Sequence, residues 1–162
     1  MSWAFVPIVA QDFPQSTKTE IFMSQQDHSY SNHPSKLLEM KFDIGHWQSR
    51  KKLVFKNDEI SLPAPDAFSY QEFPDVIVPS SSGLAEFSRS LDELNVWEWK
   101  KYYSNSNIMD GVQWSLTIRT DSKELDSGGS NDFPENIYRF IQSINQLINM
   151  DYFFDGYRNA HS

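Results

Sequence analysis

The sequence predicts an α+β fold: an antiparallel sheet of about four to six strands with two main α-helices packed on one face. Two stretches of alternating apolar and polar residues and two stretches of helical spacing carry that prediction. Their order, strand–strand–helix–strand–strand–helix, favours a layered arrangement over a purely helical or purely β one. The chain has 162 residues, a length expected of a single domain, and at this size about 70% of the unfolded surface can be buried.

Leu38, Met40, Phe42 and Ile44 alternate with Glu39, Lys41 and Asp43, the period of a half-buried strand. Gly45 permits a turn, and Lys52–Lys56 reads as the returning strand, so residues 37–62 form a hairpin with Ile60-Ser61-Leu62 as a short third strand. Residues 63–82 contain Pro63, Pro65, Pro74 and Pro79; proline cannot donate to a ladder, which makes this stretch a crossing rather than a strand or helix. Val76-Ile77-Val78 adds a brief extended piece within it.

Residues 83–150 read as a helix–hairpin–helix half. Ser80-Ser-Ser82-Gly83 supplies capping hydroxyls, and Leu84, Phe87, Leu91 and Leu94 recur on one helical face that Asn95 ends or bends. Trp99 and Tyr103, four apart, are placed to meet on a helical turn. Val112, Trp114, Leu116 and Ile118 alternate with polar residues as a strand, with its partner expected over Glu124–Ser127. Gly128–Asp132 reads as a loop carrying capping residues, with Pro134 in the first turn of a helix. Ile137, Phe140, Ile141, Ile144, Leu147 and Ile148 form that helix's wide apolar stripe. Residues 1–36, polar and Ser/Gln/His-rich, read as an arm or extra strands, with Met1–Ala10 as a buried strand rather than a secretory leader. Residues 151–162 form an aromatic tail.

Composition narrows the function classes. There is no Cys, and the formal net charge is −8. The first excludes disulfides and thiolate chemistry; the second disfavours phosphate backbones and anionic membranes. Without a leader, a membrane span or Cys, the expected compartment is cytoplasmic.

No catalytic constellation or metal site stands out. Asp126-Ser127-Gly128-Gly129 copies the nucleophile segment of trypsin-like proteases, but the chain is too short for their double barrel, and no His sits in a partner motif. The same loop as an anion site is crowded by Asp126, Asp132 and Glu135. His28 and His33, with His46 and Asp43, lack a spacing that would fix zinc geometry. The carboxylate pairs Asp58-Glu59 and Asp92-Glu93 read as solvated surface, and Arg50-Lys51-Lys52 is short for a nucleic-acid patch. No cofactor is expected, and direct nucleic-acid binding is disfavoured. Trp97, Trp99, Tyr102, Tyr103 and Trp114 are expected in the core. Tyr152, Phe153, Phe154 and Tyr157 follow the last helix; they either fold back on the sheet or form a contact surface for a partner or a second copy.

Trp99-x3-Tyr103, then Asp110-Gly111-x2-Trp114-x-Leu116, then Gly129-x-Asn131-x-Phe133-Pro134, resembles a recurring pattern in small bacterial proteins of unassigned function. The likeness covers roughly residues 84–150. It implies a compact helix–hairpin–helix half, a bacterial or phage origin, and no catalytic residues to carry over. Phe133 stands where the pattern usually has Tyr, so a hydroxyl role there does not transfer. In physical terms the motif reads as packing, with Trp114 inside a strand, Gly129 for a tight backbone and Asn131 as a cap.

The leading expectation is a non-catalytic acidic binding protein, an inhibitor or immunity-type protein that neutralises another macromolecule with a basic surface, such as a nuclease or toxin. A phage anti-defence inhibitor falls within it. Tyr152, Phe153, Phe154 and Tyr157 would supply the rings, and Asp92 and Glu93 the charge. One alternative is an enzyme or small-ligand protein with a pocket between sheet and helices. The other is an accessory domain that oligomerises, as a homodimer for instance, through the C-terminal aromatics.

Overall fold

A computed structural model describes residues 34–46, 49–63, 74–109 and 111–153. The chain divides into Met1–Ser31 and Asn32–Ser162, and every described residue belongs to the second unit. The N-terminal arm up to residue 33, with His28 and His33, lies outside the described residues, as do Asp110, Phe154 and Tyr157.

Alternation produces the strands where it was expected. β1 (Leu37–His46), β2 (Ser49–Lys56) and β3 (Glu59–Ser61) form an antiparallel meander. α1 (Ser81–Glu93) follows the crossing, then a single 3-10 turn at Val96–Glu98 and β4 (Tyr102–Ser104). β5 (Gln113–Thr120), β6 (Glu124–Ser130) and α2 (Ile137–Leu147) complete the unit. The sheet is mixed and six-stranded, in the order β3-β2-β1-β5-β6-β4. All its pairs are antiparallel except β4 on β6.

The centre of the sheet is the β1–β5 ladder, which sets Met40 opposite Ile118, Phe42 opposite Leu116 and Ile44 opposite Trp114. The two strands come from opposite sides of the stretch 63–82, of which residues 63 and 74–82 are described. It returns to the sheet at Ile77, whose N–H and C=O exchange bonds of 2.8 Å with Ile60.

The inward side chains of the strands meet the apolar stripes of both helices. Phe42, Phe87 and Phe140 are buried and in ring contact, with Phe42 and Phe140 edge-to-face at 5.5 Å. α1 starts where its hydroxyls allow: Ser80 Oγ accepts from the Gly83 N–H at 3.0 Å. It ends at Asn95, which takes the left-handed conformation with φ of 50°, one of the few non-glycine residues that do so readily.

Four local readings are corrected by the structure. Trp99 and Tyr103 do not share a helical turn, since Tyr103 belongs to β4; they meet through Trp114 instead. Gly128 and Gly129 lie inside β6 rather than in a loop, because β5 and β4 pair with them from both sides. Pro134 precedes α2 instead of forming its first turn; its carbonyl accepts from the Ile137 N–H at 3.1 Å. Asn131 does not cap α2: it sits at φ 59° and donates from Nδ2 to the Ile108 carbonyl at 3.0 Å.

Candidate interaction surface

Of the described residues of the recurring pattern, Trp99, Tyr103, Gly111, Trp114, Gly129, Asn131 and Phe133 gather toward the β4 end of the sheet, while Leu116 belongs to the central ladder. The Trp114 indole donates to the Asp132 carbonyl at 2.9 Å and lies against Trp99, Tyr103 and a stacked Phe133. A Cβ on Gly129 would sit 2.6 Å from Trp114 Nε1 and 2.7 Å from the Asp132 carbonyl oxygen. A Cβ on Gly111 would fall 1.5 Å from Asn131 Oδ1. Glycine at these two positions is thus a condition of the close packing, and the pattern describes a structural corner.

Tyr152 and Phe153 do not form a partner surface. They are 1% and 2% exposed, which corrects their assignment as binding residues and leaves them unable to supply exposed rings to a homodimer. Phe153 packs on Phe42 at 5.1 Å, and its N–H donates to Asn145 Oδ1 at 3.3 Å. Lys51 Nζ donates to the Tyr152 carbonyl at 2.6 Å and lies over the Tyr152 ring. The physical reason is that the helical stripe and sheet leave apolar surface beyond Ile148, and the chain turns back to fill it. Burial raises the Tyr152 hydroxyl above the ordinary tyrosine range, an effect partly offset by the Lys52 backbone amide.

Asp92 is exposed but committed to structure. It accepts from Trp97 Nε1 at 2.8 Å and Lys123 Nζ at 2.7 Å, tying α1 to the β5–β6 hairpin. The Lys123 bond above all holds its carboxyl below the usual aspartate range. Glu93 is exposed with no such partner among the described residues, on the rim of a groove of about 360 Å³ between α1 and α2 that Arg89 and Arg139 also line. That groove opens outward between the helices. The space between helices and sheet, where the alternative reading placed a pocket, holds the Phe42, Phe87 and Phe140 rings.

The other sequence candidates are separated by strand alternation. Arg50 turns to the open face and pairs with Asp43, Lys51 turns inward to Tyr152, and Lys52 is exposed. Asp43 and His46, three apart on one strand, point to opposite faces. Ser127 Oγ donates to the Lys100 carbonyl at 2.7 Å from the inner face. Asp126, on the open face, is held below the usual range by Arg119 and Thr117. Among the described residues no group of three or more His, Asp or Glu is placed to hold a metal, and no helix is long and apolar enough to cross a membrane.

Among the described residues, large apolar side chains stand exposed in groups at the two ends of the sheet, Tyr102 there against the expectation of burial, and singly at Leu38 on β1 and Tyr138 on α2. At the β4 end these are Tyr102 (62%), Ile108 and Met109, close after Lys100 and Lys101. At the β3 end they are Val76 (50%) and Val78 (72%). The Ile60–Ile77 bridge sets Glu59 across from Val78 and Ser61 across from Val76. Asp58 and Asp75 are exposed beside them, and no ion pair engages Asp58, Glu59 or Asp75 among the described residues. Proline flanks on both sides, at Pro74 and Pro79, hid this patch in the sequence, where the stretch read only as a crossing. No protein-family description and no curated protein matches the chain.

Proposed function

We propose that the chain is a non-catalytic acidic binding protein of the inhibitor or immunity type, neutralising a basic macromolecule such as a nuclease or toxin; phage anti-defence inhibitors fall within this reading. The observation that carries it is the β3 end of the sheet, where exposed Val76 and Val78 stand among the carboxylates of Asp58, Glu59 and Asp75, which no ion pair engages among the described residues. Exposed apolar side chains ringed by charge give a contact its affinity and its rate of encounter respectively, and the chain-wide charge of −8 steers toward a basic target at long range.

The test is affinity purification from bacterial lysate with the full chain as bait, at low and raised salt, followed by an activity assay on the captured protein. The expected result is a stoichiometric basic partner whose activity falls when the chain is added and whose capture weakens with salt. Failure to find any stoichiometric partner across conditions overturns the reading.

A further inference from the structure

The segment that closes the β3 end of the sheet is itself an open edge. Ile77 spends both its N–H and its C=O on Ile60. In an extended chain the neighbouring residues present those groups on the opposite side. The N–H and C=O of Val76 and Val78 accordingly point away from the sheet, and none makes a hydrogen bond among the described residues. Pro74 and Pro79 bound the segment and have no N–H to offer, so the open edge is short.

We propose that Val76–Val78 receives an extended, Lys- or Arg-bearing segment of the target protein as an added strand. This rests on the acidic-binding reading above and assigns it a surface and a mode. Main-chain hydrogen bonds to Val76 and Val78 supply affinity, and their side chains pack against alternate apolar residues of the incoming strand. Charge selects the occupant. Asp58, Glu59 and Asp75 surround the edge, and Lys56, in register with Glu59, is the one described cation in the same rows. The opposite end of the sheet also finishes in a short strand, but Lys100 and Lys101 lead into β4 and repel a basic segment.

The experiment uses the full chain, isotopically labelled, titrated with a synthetic Lys-Val-Lys-Val-Lys-Val peptide and followed by amide chemical shifts. Saturable shifts confined to Glu59–Ser61 and Val76–Val78, weakening with added salt, are expected. The triple variant Asp58→Asn/Glu59→Gln/Asp75→Asn weakens binding about tenfold, the combined effect of three exposed charge pairs. Val78→Pro removes one outward N–H while leaving the Ile60–Ile77 bonds in place, and it too weakens binding in an otherwise unchanged spectrum. Saturable shifts in the α1–α2 groove or along β4, with Val76–Val78 unmoved, overturn the edge assignment and leave the acidic-binding reading standing. Shifts at Val76–Val78 that grow with protein concentration before peptide is added make the occupant a second copy and also overturn it. No saturable binding of the peptide at low salt removes the edge assignment, and the lysate experiment then decides the broader reading alone.

Discussion

The two ends of the sheet are built on opposite terms. The β4 end is crowded: one indole, three neighbouring rings and two glycines leave no room for a further methyl group. The β3 end is light: its outer segment joins β3 by a single two-bond bridge, with valines in solvent and carboxylates that no ion pair engages among the described residues. The residues that form the most recognisable pattern in the sequence therefore maintain shape, while the surface proposed for binding lies in an unpatterned, proline-punctuated stretch. A conspicuous motif and a functional surface need not coincide.

Removing the indole should break the crowded end most severely. Trp114→Ala is expected to cost about 3–5 kcal/mol, the range for deleting a large buried ring, read as a lower urea midpoint. Gly129→Ala forces a methyl group against the same indole and should cost about 1–3 kcal/mol as an overpacked site, visible as a fall in Tm. On the β2 side, Tyr152 has a hydroxyl whose folded pKa is raised by burial. Its contribution is fully present below the ordinary tyrosine pKa and is lost as pH rises through the higher folded value. Wild type should lose stability in that alkaline window, and Tyr152→Phe should remove that part of the loss. Asp92, with its folded pKa lowered, works in the other direction: its contribution is present above the ordinary aspartate pKa and is lost as pH falls through the lower folded value. Being largely exposed, it is expected to account for under about 1 kcal/mol, so Asp92→Asn should flatten a shallow acid limb in a pH series of thermal melts. Smallest of all, Val76→Ser with Val78→Ser should leave stability within about 0.5 kcal/mol yet weaken binding of the basic peptide. A large stability loss there would mean that the light end is structural after all.

Much of the fold was written in periodicity. Met40, Phe42 and Ile44, and again Trp114, Leu116 and Ile118, alternate cleanly because one face of their sheet is dry and the other wet. The stripe from Ile137 to Ile148 is buried at every one of its six named positions. Legibility failed where a residue's conformation depends on something distant. Gly128 and Gly129 have poor strand propensity and become strand because they pair with Ser115 and Trp114 of β5 on one side and Tyr102 and Tyr103 of β4 on the other. Asn131 looked like a cap, but its partner is the Ile108 carbonyl in the preceding loop. For Tyr152 and Phe153 the sequence left open whether they fold back on the sheet or face a partner, since nothing local says that Phe42 waits for Phe153. The β3-end surface was least readable, since Val76 and Val78 are brought beside Ser61 and Glu59 only through the bridge at Ile77.

The β1–β5 ladder has a consequence for how the protein comes into being. Its two strands, Leu37–His46 and Gln113–Thr120, are adjacent in the sheet and far apart along the chain. During synthesis the first hairpin emerges with one long side of β1 bare, and it stays so until β5 leaves the ribosome. That interval is when an uncovered strand can pair with a neighbouring nascent chain. The charged residues alternating along β1, Glu39, Lys41 and Asp43, are well placed to discourage such pairing until the native partner arrives.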